Sequence, residues 1–102
     1  MALKHFMCTH TFISEETKVQ FFEFCKGMDN KTWFATEDEE KVRCLQNWLG
    51  QEDFWFCHWE AENEDQIHES LDKKGASSLF HTMASEMTWY SQKSSPTHIM
   101  YE

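Results

Sequence analysis

At 102 residues the chain is the common size of one domain and too short for two. A net charge of −9 opposes nucleic acid and anionic membrane surfaces, which select Lys and Arg clusters; the nine basic residues are scattered apart from Lys73-Lys74. Nine Phe, five Trp and two Tyr supply the large side chains on which so small a core depends.

Leu3 to Phe12 reads as a first strand, with Phe6, Cys8, His10 and Phe12 on one face and His5, Met7, Thr9 and Thr11 on the other. Ser14 is a good N-cap, and Glu15-Glu16 suit the positive end of a helix dipole. That helix runs to about Lys26, where Gly27 can end it, and Phe21, Phe24, Cys25 and Met28 form its expected core stripe. Asp29 or Asn30 caps a second, short helix carrying Trp33 and Phe34. The acidic run Glu37-Asp38-Glu39-Glu40 ends it and is read as a solvated segment rather than a cation or partner site.

Val42–Leu49 and Phe54–Glu60 are strand-like and flank Gly50-Gln51-Glu52-Asp53, a hairpin signal. A helix through Val42, Leu45 and Leu49 is the rival reading; the hairpin is preferred because it gives Phe54–Trp59 a neighbour. Asn63 with Gln66 has capping-box character and starts a helix with Ile67 and Leu71, ended by Gly75. Leu79 to Tyr90 reads as the last strand, and 91–102 as a polar tail of the single domain 1–102.

No apolar run approaches the ~20 residues of a membrane span, and the N-terminus lacks the layout of a signal peptide. Cys8, Cys25, Cys44 and Cys57 fall in apolar segments without a C-x-x-C, which suggests free thiols and a cytoplasmic location.

The order predicts an α+β domain: a ferredoxin-like β-α-β-β-α-β sandwich with an extra short helix after the first long one. Its antiparallel sheet would carry the helices on one face and leave the other open. Yet Phe54, Phe56, His58 and Trp55, Cys57, Trp59 make both parities of the third strand apolar or aromatic. Leu79, Met83, Met87 and Trp89 repeat this opposite Phe80 and Ala84. A sheet solvated on one side should alternate with polar residues, so a homodimer covering the second face is expected.

The opening Met1-Ala2-Leu3-Lys4-His5-Phe6-Met7, then Phe12 and the acidic helix start, with Trp59-Glu60-Ala61 leading into the later helix, resembles the dimeric α/β-barrel superfamily. The likeness is to its stress-responsive branch, which includes a plant polyketide cyclase. The resemblance implies two sheets packed into a barrel. It also implies an acid–base role for His5, the first-strand histidine after a lysine. The branch's His-Pro-x-x-His pattern has no counterpart here, and His68 is a loose substitute for its second histidine. The superfamily also holds cofactor-free monooxygenases, haem enzymes and metal-binding members, so fold alone assigns no activity.

Three constellations could carry chemistry. His5 and His68 could form an acid–base pair, since an imidazole pKa of about 6.5 keeps both protonation states available; the plainer reading is two histidines that never meet. Cys8 and His10 share a strand face as metal ligands can, with Cys57 or His58 and His81 as possible company for zinc or nickel; ordinary core thiols are preferred, and no cofactor is expected. Trp48, Trp55, Phe56, Trp59 and Trp89, with His58, Gln46 or His81 as polar fixtures, could line a pocket for an apolar or fatty-acid-like ligand. A packed core and dimer interface accounts for the same rings.

The leading expectation is therefore a dimeric module binding a small apolar or amphipathic organic molecule. A cofactor-free acid–base enzyme using His5 and a second histidine is the alternative, and a metal-binding protein the third.

Overall fold

The computed structural model describes residues 3–36, 38–39, 41–88 and 93. The elements are β1 (Lys4–Phe12), α1 (Glu15–Cys25), α2 (Asn30–Thr36), β2 (Asp38–Glu39), β3 (Val42–Trp48), β4 (Phe54–Ala61), α3 (Glu64–Lys73), a 3₁₀ turn (Ala76–Ser78) and β5 (Phe80–Met87). The strands form one antiparallel sheet in the order β2-β3-β4-β1-β5. This α+β arrangement, with β1 central between β4 and β5, is compatible with a ferredoxin-like unit. The inserted α2 and β2 depart from the plain βαββαβ order.

Local chemistry explains the boundaries. Ser14 Oγ accepts from Thr17 N–H, and the Thr17 hydroxyl accepts from Ser14 N–H, a reciprocal cap that satisfies two amide donors at the start of α1. After the helix, Gly27 turns the chain at φ +80°, a conformation costly for any side chain. Asp29 caps α2 through its carboxylate, which accepts from Thr32 N–H at 2.7 Å. Asn63 accepts from Gln66 N–H to cap α3, while the Gln66 side chain reaches back to Glu62 N–H.

The hairpin reading of β3 and β4 is correct and the helical rival is not: the two strands pair from Val42↔Ala61 to Trp48↔Phe56. Within the acidic run, Asp38 and Glu39 form the edge strand β2, paired with Arg43 and Val42. The last strand begins at Phe80, one residue later than the pattern suggested. Leu79 instead closes the 3₁₀ turn, where its carbonyl accepts from Ile13 N–H at 3.1 Å. The polar tail and Trp89 lie outside the described residues apart from Lys93.

Phe6, Cys8, His10 and Phe12 of β1 are buried on the helix-bearing face together with Trp55, Cys57, Trp59 and Ala61 of β4. Phe21, Ile67 and Leu71 cover them from α1 and α3. The stripe expected on α1 is only half realised. Phe21 is buried and packs 5.1 Å from the Trp55 ring and 5.7 Å from Phe80, whereas Phe24 is 61% exposed. Phe22, not Phe24, adds to the core from this helix. Edge and tilted ring pairs of this kind add about 0.5–1.5 kcal/mol each beyond their burial.

A bulge decides what the other face looks like. Between Cys44 and Gln46 the β3 register shifts, so that Cys44 faces Trp59 and Gln46 faces His58. Leu45 is the extra residue. Val42 and Cys44 therefore enter the core, while Trp48 lies beside Phe56 on the opposite face. That open face also presents Phe54, Met83 and Met87 to solvent.

Candidate functional site

The helices leave room above the sheet. A pocket of about 420 Å³ lies between α1 and α2 on one side and the end of α3 with the 3₁₀ turn on the other. Its floor is the sheet: His10 from β1, Cys44 from β3, Trp55, Cys57 and Trp59 from β4, and Phe80 from β5. Phe21, Phe24 and Trp33 form one wall, and Leu71, Lys74 and Leu79 the other. The volume falls in the range of small-molecule sites, roughly 300–1,000 Å³, and the lining has their make-up of apolar surface with few polar atoms.

Those few polar atoms are informative. His10 is fully buried; its Nδ1 lies 2.8 Å from Thr82 Oγ1, and its Nε2 has no hydrogen-bond partner among the described residues. The Trp55 indole N–H, 3% exposed, is likewise without a partner among them. The two rings lie 4.3 Å apart. Leaving such a group unsatisfied costs about 1–3 kcal/mol, so two adjacent ones at the floor of a pocket require a reason. Trp59 N–H meets no oxygen or nitrogen among the described residues and has the Cys57 sulfur beside it.

Burial holds the His10 pKa down at about 4, with the nearby His68 adding a smaller push, so its imidazole is neutral near pH 7. Lys74 supplies the positive charge at this site. Its Nζ donates to Ser70 Oγ at 2.9 Å and lies 5.8 Å from the Trp59 ring centre.

The sequence-predicted residues fall into two groups. Trp55 and Trp59 share the pocket, joined by His10, which was considered only as a metal ligand. Trp48, Phe56, His58 and His81 lie on the other side of the sheet, by strand parity, and do not meet them. His5 is on that open face, where its Nδ1 is 2.8 Å from His58 Nε2. Burial lowers the His58 pKa first, His5 lowers it further, and Glu60, ion-paired with Arg43, opposes both. His68 belongs to α3 on the opposite side, where Glu64 lies 3.4 Å away; the sheet stands between it and His5.

Cys8 and His10 do share a face, and Cys8 sits across from Cys57. Burial pushes the Cys8 thiol up to about 12 and the Cys57 thiol well above its ordinary value, which opposes the thiolate a metal needs. Among the described residues no group of three or more His, Cys, Asp or Glu side chains is arranged to hold an ion.

Phe21, Trp33, Lys74 and Leu79 were not singled out as site residues. The signals that pointed to this face were Trp55 and Trp59, together with His10, an imidazole on an otherwise apolar strand face.

No family model matches the chain, and no curated protein or solved structure is significantly similar to it. No helix among the described residues is long and apolar enough to cross a membrane.

Proposed function

We propose that this chain is a small-molecule-binding module that takes an amphipathic organic ligand into the pocket between its helices and its sheet. The observation that carries the reading is the buried His10–Trp55 pair, whose Nε2 and Nε1 atoms lack partners among the described residues at the floor of an aromatic pocket. A ligand with an apolar body and an oxygen function would cover the rings and satisfy both atoms. The test is a panel of medium-chain fatty acids and flat aromatic acids, read by intrinsic Trp fluorescence and melting temperature. Binding at a hundredfold excess over Kd adds about 2.7 kcal/mol to the native state. A panel that changes neither signal refutes the reading.

The module acts as a homodimer in this proposal, a ferredoxin-like unit whose open sheet faces pack together as in the dimeric α/β barrels. Trp48, Phe54, Phe56, Met83 and Met87 on that face support it, because apolar side chains gathered in one patch favour a protein partner over water.

The His5–His58 contact favours a second reading, cofactor-free acid–base catalysis with His58, not His68, as the second histidine. Two imidazoles in hydrogen-bond contact can pass a proton between them, and burial of His58 lowers its pKa and favours the neutral form that can accept one. Turnover of carbonyl-bearing substrates lost in both His5→Ala and His58→Ala would support this reading over simple binding.

A further inference from the structure

The polar groups of the pocket stand at opposite ends of it. His10 and Trp55 sit together at one end, their rings in contact. Lys74 sits at the other, by Trp59. Trp55 and Trp59 are four residues apart on β4, which at 3.3 Å per residue separates their backbones by roughly 13 Å. Cys57 and the aromatic walls fill the interval without offering a charge.

We infer that the pocket selects a medium-chain acid bearing a second, uncharged oxygen at its far end, with the carboxylate at Lys74 and the hydroxyl or carbonyl oxygen at His10 and Trp55. This rests on the proposed binding function and names its ligand class.

The chemistry of each end dictates what it takes. An indole N–H only donates, so Trp55 requires an acceptor. His10 has one nitrogen committed to the Thr82 hydroxyl, and the other is buried without a partner among the described residues. When Nδ1–H donates to Thr82, Nε2 accepts, and a ligand hydroxyl satisfies both residues by donating to His10 and accepting from Trp55. In the other tautomer Nε2–H donates, and a carbonyl oxygen accepts from both. A carboxylate at this end would be buried against a neutral imidazole with no countercharge, which is costly. At the other end Lys74 supplies that countercharge while keeping its bond to Ser70. A plain fatty acid would satisfy Lys74 and leave His10 and Trp55 as they are.

The experiment titrates the full chain with decanoic acid, decanol, ω-hydroxydecanoic acid and ω-oxodecanoic acid, following Trp fluorescence and calorimetric heat. One or both of the oxygenated acids bind about tenfold more tightly than decanoic acid, the worth of one buried hydrogen-bonded pair. Which one gains identifies the tautomer. Lys74→Met, at an exposed position that the core does not need, weakens all three acids about tenfold relative to decanol. Trp55→Phe abolishes the preference for the far oxygen while decanoic acid still binds. Should that variant fail to fold, the ligand series and Lys74→Met decide alone. Equal affinity for decanoic acid and both oxygenated acids overturns the two-ended ligand and leaves the binding function standing. A Lys74→Met chain that loses nothing overturns the placement of the carboxylate. No binding by any of the probes removes both.

Discussion

His10 Nδ1 lies 2.8 Å from Thr82 Oγ1 across the ladder that joins β1 to β5. The bond anchors a fully buried imidazole whose pKa is depressed to about 4, chiefly by burial. A histidine depressed in the folded state contributes full stability above about pH 6.5, where it is neutral in both states. As pH falls from 6.5 toward 4, the unfolded chain binds a proton that the folded chain refuses, and stability is lost. The drop from 6.5 to about 4 corresponds to roughly 3 kcal/mol at the lower end of that window. Acidification toward the pI of about 5.0 also relieves the repulsion of a chain at −9, with the opposite sign. The measurement is therefore a difference. Urea unfolding of the wild type against His10→Gln, from pH 7 to 4, should show the wild type losing its advantage as pH falls. Parallel curves would deny the depressed pKa.

The same contact predicts that Thr82→Val, close to isosteric, destabilises the protein by about 1–3 kcal/mol by leaving Nδ1 unpaired inside the core. A chemical-denaturation midpoint unchanged from wild type would mean that the hydroxyl contributes nothing.

The dimer proposal makes its own demand on the open face. Light scattering should report two 12.3 kDa subunits per particle. Phe56→Lys and Met83→Lys place charges within the patch, on β4 and β5, and should each yield a particle of one subunit with unchanged far-UV circular dichroism. Met83 is 66% exposed in the single chain, so its replacement leaves the subunit's own core intact. A wild-type monomer at micromolar concentration would end the barrel reading.

On α3 two substitutions separate capping from packing. Asn63→Ala removes the acceptor for Gln66 N–H and should cost about 1 kcal/mol, roughly 4–8 °C in Tm for a domain this small. Ile67, fully buried under the sheet, should cost about 2–5 kcal/mol as Ile67→Ala because a cavity remains. Calorimetry that reversed this order would contradict the placement of α3.

Much of this architecture was legible because its determinants are local. Ser14, Asn63, Gly27 and Gly75 act within a few residues, and strand parity alone sorted His10 with Phe6, Cys8 and Phe12. What depends on register was not legible. The bulge at Leu45 is a one-residue shift that moves Trp48 to the open face, and nothing in the local pattern marks it. His5 meets His58 only because β1 and β4 pair Met7 with His58, a long-range match. The pocket was half seen for the same reason: its floor lies on strands whose aromatics stand out, but Phe21, Trp33 and Lys74 reach it from helices whose positions are tertiary. Phe24 shows the converse, because helical spacing nominated it for the core and the packing of α1 left it at the rim of the pocket.

The thiols provide the last prediction, since they report on both the core and the pocket. All four cysteines are free; Cys8, Cys44 and Cys57 are buried, and Cys25 is half-buried. Thiolate is the reactive form, and burial pushes Cys8 up to about 12 and Cys57 well above the ordinary thiol range, so neither reacts from the folded state. Burial raises Cys25 too, yet it remains within reach of solvent at the end of α1. A disulfide reagent at about pH 8 should modify Cys25 first, more slowly than a free thiol, and the phase should vanish in Cys25→Ser. The remaining thiols should react together at the rate of native-state opening, and at once in guanidinium. Cys44 and Cys57 also lie on the pocket floor, so a bound ligand that stabilises the native state should slow their phase while leaving the Cys25 phase unchanged. Rapid modification of Cys8, which is fully buried and away from the pocket lining, without denaturant would contradict the packing of β1 against β4.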